Sequence, residues 1–133
     1  MKGLAIGQRA ATKRVFTLAD VAVYNVLTND DGLQFGTSCH QLEGQTVPGP
    51  LLGGMVSFLL GTKLPGRGTN WLKQRYSFDT PAYIGEPITA EVEVIRLRPE
   101  KELINLRINC TNSTGATICS GEALVLVADL ENQ

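Results

Sequence analysis

An α+β fold, in which a curled antiparallel sheet wraps one long central helix, is predicted by three features of this chain. The stretch from Pro50 to Gly61, PLLGGMVSFLLG, is apolar almost all round, as expected of a helix buried on several sides. After it, apolar residues alternate with polar ones through four successive segments, the period of half-buried strands. Finally, 133 residues with 43% hydrophobic content make one domain spanning 1–133, long enough for a real core.

The elements follow in order. Gly7 to Phe16 is mostly polar and reads as an edge strand. Thr17 caps a helix with Asp20 in its first turn; Leu18, Val21, Val23, Tyr24 and Leu27 supply apolar positions near three-to-four spacing, ending about Thr28. From Asn29 to Gly49 no period persists and Gly, Asp, Thr, Ser and Gln dominate, so a long loop is expected. Loops of about 20 residues inside a compact domain are uncommon and often functional. Pro48-Gly49-Pro50 ends this one, and Pro50 suits a first helical turn, where its missing N–H costs nothing. Leu51, Leu52, Met55, Val56, Phe58, Leu59 and Leu60 then carry the central helix. Gly53 and Gly54 each cost about 1 kcal/mol relative to Ala in a helix interior, which suggests close packing against another backbone.

A Leu64-Pro65-Gly66 turn precedes the first segment after the helix, where Leu72, Gln74, Tyr76 and Phe78 share one face and Trp71, Lys73, Arg75 and Ser77 the other. Ile88, Ala90, Val92 and Val94 alternate in the same way. A turn around Arg98 to Lys101 leads to Ile104, Leu106, Ile108 and Cys110, and a Ser113-Thr114-Gly115 turn leads to a last strand near Ala116 to Ala128. Four such strands in succession read as an antiparallel meander.

Charge excludes some partners. Twelve basic and 13 acidic residues leave a formal net charge of -1, so nothing advertises a nucleic-acid or anionic-membrane surface. No secretory signal opens the chain, and the apolar run is too short and glycine-rich to span a bilayer, so a cytoplasmic location is expected. Cys39, Cys110 and Cys119 form neither an even disulfide set nor a metal-binding spacing, and read as buried reduced thiols. The Asn109-Cys110-Thr111 and Asn112-Ser113-Thr114 triplets, glycosylation acceptors by pattern, have no secretory context.

One stretch carries a resemblance. From Val47 to Phe78 the chain reads VPGPLLGGMVSFLLGTKLPGRGTNWLKQRYSF, and TPAYIGEPITAEVEV follows. The order of glycine-punctuated helix, Leu-Pro-Gly turn, alternating strand and a phrase set against "PV-x-x-GD-x-(I/V)-TA-x-V-x-V" resembles the MaoC-like, (R)-specific enoyl-CoA hydratase family. The likeness covers Val47 to Val94 and extends upstream through Phe16, Tyr24, Leu27 and Asp30. It implies the hot-dog fold, an acyl-CoA or acyl-carrier thioester as partner, no metal or other cofactor, and a homodimer or higher oligomer whose interface completes the site.

The resemblance also implies roles. Hydrating a double bond conjugated to a thioester needs an acid–base pair to handle water and donors to hold the charge that develops on the thioester oxygen. The family shares the first task between an Asp and a His five residues later, in a phrase like "G-D-x-N-P-x-H". Asp30 matches the Asp, but Phe35 stands at the His position, and Gly32 and Leu33 replace the turn-forming Asn and Pro. Starting from Asp31 puts Gly36 at the His position, so neither register restores it. Gly49 matches the helix-start glycine whose N–H meets the thioester oxygen, and Ser57, eight residues on, matches the helix serine that hydrogen-bonds the Asp. Pro48 replaces a common His, Pro50 removes an N–H from the helix mouth, and the segment from Asp30 to Gly49 is shorter than is typical. Phe35, Pro48 and Leu51 are the substrate-binding candidates.

His40, the single histidine, lies ten residues after Asp30 and offers a relocated partner for it; the plain alternative is a loop histidine in a polar contact. Lys63, Arg67 and Lys73 suit a CoA phosphate or, more simply, solvated faces. No Asp or Glu lies between Pro50 and Gly61, unlike hot-dog thioesterases with a carboxylate on the central helix. The expected function is therefore that of a MaoC-like acyl-thioester protein related to (R)-specific enoyl-CoA hydratases and dehydratases, with weakened or altered activity. The alternatives are a non-catalytic acyl-CoA-binding or sensing module, and a purely structural oligomer.

Overall fold

The computed structural model describes residues 3–28 and 46–128. Its elements are β1 (Arg9–Val15), α1 (Leu18–Thr28), α2 (Gly49–Thr62), β2 (Asn70–Phe78), β3 (Pro87–Arg98), β4 (Leu103–Thr111) and β5 (Thr117–Leu126), with a 3-10 turn at Pro99–Lys101 between β3 and β4. The strands form one five-stranded antiparallel sheet in the order β1-β3-β4-β5-β2, and β1 is an edge strand as expected.

That order corrects the expected four-strand meander. Only β3, β4 and β5 follow one another; β2 pairs with β5 at the far edge instead of with β3. The eight-residue connection from Asp79 to Glu86 has to cover three inter-strand spacings, about 14 Å, which an extended segment of that length reaches. Register shifts at Trp71/Lys73, Val94/Arg96 and Cys110/Thr111 put extra residues into the ladders, and such bulges increase twist and bend a sheet. The sheet curls accordingly, with α2 against β3, β1 and β2.

The core is the inner face of this sheet closed by α2. Ile88, Ala90, Val92 and Val94 of β3, and Ile104, Leu106, Ile108 and Cys110 of β4, are fully buried, matching the alternation in the sequence. Leu52, Met55, Val56, Leu59 and Leu60 are the helix's buried side, while Phe58 is half exposed, so α2 is covered on one broad face and not all round. Leu64 and Gly66 donate their N–H groups to the Leu59 and Leu60 carbonyls and close the helix at the expected turn.

Helix α1 starts where Thr17 predicts. The Asp20 N–H donates to the Thr17 hydroxyl at 3.1 Å and the Thr17 N–H donates to the Asp20 carboxylate at 2.9 Å, a reciprocal cap. Val21 is buried, whereas Leu18, Val23, Val26 and Leu27 are exposed, so the apolar positions read from the sequence do not act as one buried stripe.

Candidate functional site

The site lies on the side of α2 that faces β2. Gly49, Gly53 and Ser57 recur every four residues and therefore share one helix face. Opposite them β2 presents Phe78, Tyr76, Gln74 and Trp71, and a cavity of about 960 Å³ lies between the two rows, lined also by Val47, Ala82 and Ile118. Strand and helix run in opposite directions along it. The Phe78 ring abuts Gly49, with Cζ 3.1 Å from where a Cβ on residue 49 would sit, and the Tyr76 hydroxyl is 3.6 Å from the Cβ position of Gly53. The cavity thus follows α2 inward from its N-terminus.

This geometry corrects the reason inferred for the two helix glycines. A Cβ on Gly53 would make only an ordinary contact, and one on Gly54 would meet nothing within 4 Å, so no backbone presses on either. What their missing side chains leave is space, since both glycines line the cavity. The close backbone approach is at Gly121 of β5, whose Cβ would run into the carbonyl of Arg75 on the paired strand β2.

A bulge also changes which residues of β2 face the cavity. Trp71 pairs with Val125 and Lys73 with Leu124, so Leu72 is the extra residue. Trp71 therefore joins Gln74, Tyr76 and Phe78 at the cavity, and Leu72, expected on that face, is half exposed.

The mouth is fixed from outside the helix. The Val47 N–H donates to the Ala82 carbonyl at 2.7 Å, and Thr46 bridges Tyr83, tying the start of α2 to the β2–β3 connection. Gly49 is the first helical residue, so its N–H has no acceptor within the helix, and it stands at the positive end of the helix dipole. Leu51 donates its N–H to the Pro48 carbonyl at 3.0 Å, and Pro50 has no N–H to offer.

Of the residues singled out from the sequence, Gly49 and Ser57 line this one cavity. Pro48 is fully buried and Leu51 packs, half buried, against the core; neither is among the lining residues. Asp30, Phe35 and His40, with Asp31, Gly32, Leu33 and Cys39, lie outside the described residues. Sequence reasoning missed Trp71, Gln74, Tyr76, Phe78, Asp79 and Ile118 as cavity residues. Strand alternation had placed three of them on one face of β2, but gave no sign that this face meets the glycine side of the helix.

The polar groups here are few. Asp79 lies at the end of β2, where its carboxylate accepts from the Ser77 hydroxyl at 3.4 Å. The Tyr76 hydroxyl is buried and has no hydrogen-bond partner among the described residues. Burial above all, with Cys119 and Cys110 nearby, pushes its pKa well above the ordinary tyrosine value, so it remains a neutral donor. Cys110 and Cys119 face each other across β4 and β5 as free, buried thiols, as expected. The Cys110 thiol is pushed up by its hydrogen bond to Cys119 and by burial.

A curled sheet closed over one central helix defines the class: this is a hot-dog fold. Comparison with known proteins then narrows it. No family model matches the chain. It is 36% identical over 130 residues to an (R)-specific enoyl-CoA hydratase of Aeromonas caviae, covering 93% of this chain and 96% of the relative. It is 31% identical over 133 residues to the mitochondrial 3-hydroxyacyl-[acyl-carrier-protein] dehydratase FERN of Solanum lycopersicum, covering 96% and 79% of the two chains. Among solved structures, the (R)-hydratase from A. caviae involved in PHA biosynthesis superimposes with a TM-score of 0.86 at 34% identity, over 96% of this chain and 99% of that one. The chain belongs to the MaoC-like, (R)-specific enoyl-CoA hydratase family.

Proposed function

We propose that this chain binds an acyl thioester in the cavity between α2 and β2, with the thioester oxygen on the Gly49 N–H, and that its chemistry is (R)-specific enoyl-CoA hydration or the reverse dehydration. The observation that carries this reading is that Gly49 and Ser57 line one largely apolar cavity that begins at a helix N-terminus. A helix mouth stabilises negative charge developing on a carbonyl oxygen, and an apolar slot beyond it suits an acyl chain. Asp30 is the proposed base, held by Ser57, and His40 is its candidate relocated partner. Phe35, at the family's His position, contributes no proton, and Pro48, Leu51 and Phe35 are proposed to shape the substrate site. Losing one positioned acid–base group costs about a hundred- to ten-thousandfold in rate, roughly 3 to 5.5 kcal/mol of barrier. Turnover is therefore proposed to be weak.

The same phenylalanine supports a second reading, a non-catalytic module that binds or senses an acyl-CoA through the cavity and the Gly49 donor. In either reading we propose a homodimer acting in the cytoplasm on CoA or carrier-protein thioesters of fatty acid metabolism. The test is calorimetry with crotonyl-CoA beside a hydration assay. Slow turnover supports the weakened hydratase, binding without turnover supports the module, and neither binding nor turnover overturns both.

A further inference from the structure

Resting on the thioester reading, we infer that Trp71 is a specificity-determining residue: its indole ring ends the apolar track along α2, so the site gains from acyl chains of up to about eight carbons and nothing from longer ones. The two walls of the cavity stop together. Phe78 lies against Gly49 and Tyr76 against Gly53, so β2 runs back along α2 and its earlier residues stand further from the helix start. Ser57 is the last residue of α2 to line the cavity and Trp71 the first of β2, which places both at the end away from Gly49.

A bulge puts the ring there. Strict alternation with Gln74, Tyr76 and Phe78 would turn Leu72 to the cavity and Trp71 away from it; the extra residue in the ladder reverses the two. Trp71 is half-buried, packs against the core and pairs with Val125, which is fully buried. Its Nε1–H donates to the Lys73 carbonyl at 3.0 Å, so one hydrogen bond reaches across the bulge and ties the ring to it. A bulky side chain held in this way marks a set length, whereas a mobile one would yield to a longer chain. The length follows from the helix. Eight residues from Gly49 to Ser57 rise about 12 Å along its axis. With the thioester oxygen at Gly49 and about 3.5 Å taken by contact with the ring, about seven bonds of an extended chain fit at about 1.2 Å each, which makes about eight carbons with the carbonyl. Each methylene buried along the track is worth roughly a fourfold gain in affinity, and one beyond the ring gains nothing.

The experiment measures affinities for butyryl-, hexanoyl-, octanoyl-, decanoyl- and dodecanoyl-CoA by titration calorimetry. On the unmodified protein, affinity should rise roughly tenfold for each two carbons up to octanoyl-CoA and by less than about twofold beyond it. Trp71→Ala removes the ring and should move that break to decanoyl- or dodecanoyl-CoA. A folding defect would weaken every ligand together and leave the break in place. Trp71→Leu, which keeps an apolar side chain against the core, should move the break in the same direction. Affinity that climbs without a break through dodecanoyl-CoA, or a break that both variants leave where it was, overturns the inference and leaves the thioester reading standing. If none of these ligands binds, the thioester reading falls and this inference with it.

Discussion

Four glycines of this chain look alike in the sequence and should not all respond alike to the same substitution. Gly54→Ala adds a methyl group into open space, and Gly53→Ala adds one at an ordinary contact distance. Each should raise stability by about 1 kcal/mol in chemical denaturation, because alanine is the better helix former. Gly121→Ala drives a methyl into the Arg75 backbone, which cannot move without breaking the β2–β5 ladder, and should cost more than about 3 kcal/mol. At the mouth, Gly49→Ala places its methyl 3.1 Å from Phe78 Cζ, so the ring must give way across the path proposed for the thioester. Crotonyl-CoA affinity should fall although stability changes by less than about 1 kcal/mol, and Phe78→Leu in the same chain should restore part of the loss. Phe35→His tests the chemistry: hydration of crotonyl-CoA should rise measurably, since a group able to carry a proton returns to the family's position. Robust turnover by the unmodified protein that is lost on His40→Ala would show instead that His40 fills the missing role.

At the scale of elements, cross-strand electrostatics reinforce the register that hydrophobic alternation sets. One row across the outer face reads Arg9, Glu93, Arg107, Glu122 and Arg75 over β1, β3, β4, β5 and β2, alternating in sign at every step. Glu93 meets Arg107 at 3.1 Å and Arg9 at 3.6 Å, and Glu122 meets Arg75 at 3.7 Å and accepts from the Asn105 amide at 2.8 Å. A one-residue slip in any strand would move its charge to the inner face. A double-mutant cycle on Glu93 and Arg107 should give a coupling of about 0.5 kcal/mol that shrinks in 1 M salt, as for other partly exposed pairs. The α1 cap has a pH signature. Hydrogen bonding to the Thr17 backbone, foremost, holds the Asp20 carboxyl below its ordinary value of 3.8. A lowered pKa means that the folded state gains from the ionised form above the unfolded value, and loses this gain as pH falls through the folded one. The unmodified protein should therefore be more stable than Asp20→Asn at neutral pH, and the two should converge as pH falls below 3.8 and through the lowered folded-state value.

For the whole molecule, the question left by the fold is what meets β2. It is an edge strand with its outer backbone groups unpaired within the sheet, and Leu72 and Phe78 on it are 50% and 55% exposed. Long edges carrying apolar side chains invite pairing with another chain. A second copy joined there would continue the sheet and cover the side of the cavity that β2 walls. Sedimentation equilibrium at micromolar concentration should report twice the chain mass; a monomer would count against the shared sheet and against a site completed by a partner subunit.

The sequence by itself determined which segments become helix and strand and which residues of β3 and β4 fill the core, because those choices rest on local periodicity. Ile88 to Val94 and Ile104 to Cys110 alternate without a break, and both rows are buried as their spacing requires. Gly49 and Ser57 were legible too, through the family phrase around the helix start, and they do line one cavity. Strand order was decided only in three dimensions. β2 has one largely apolar face, as its neighbours do, and periodicity says nothing about whether such a strand pairs with the next in sequence or with the last. The bulge at Leu72 was equally invisible, because an extra residue in a ladder is defined by the partner strand; it exchanged Trp71 for Leu72 at the cavity. The glycines of α2 show the physical reason most directly. A missing side chain is the same letter whether it admits a backbone or leaves a void, and only the distance to the nearest atom across from it tells the two apart.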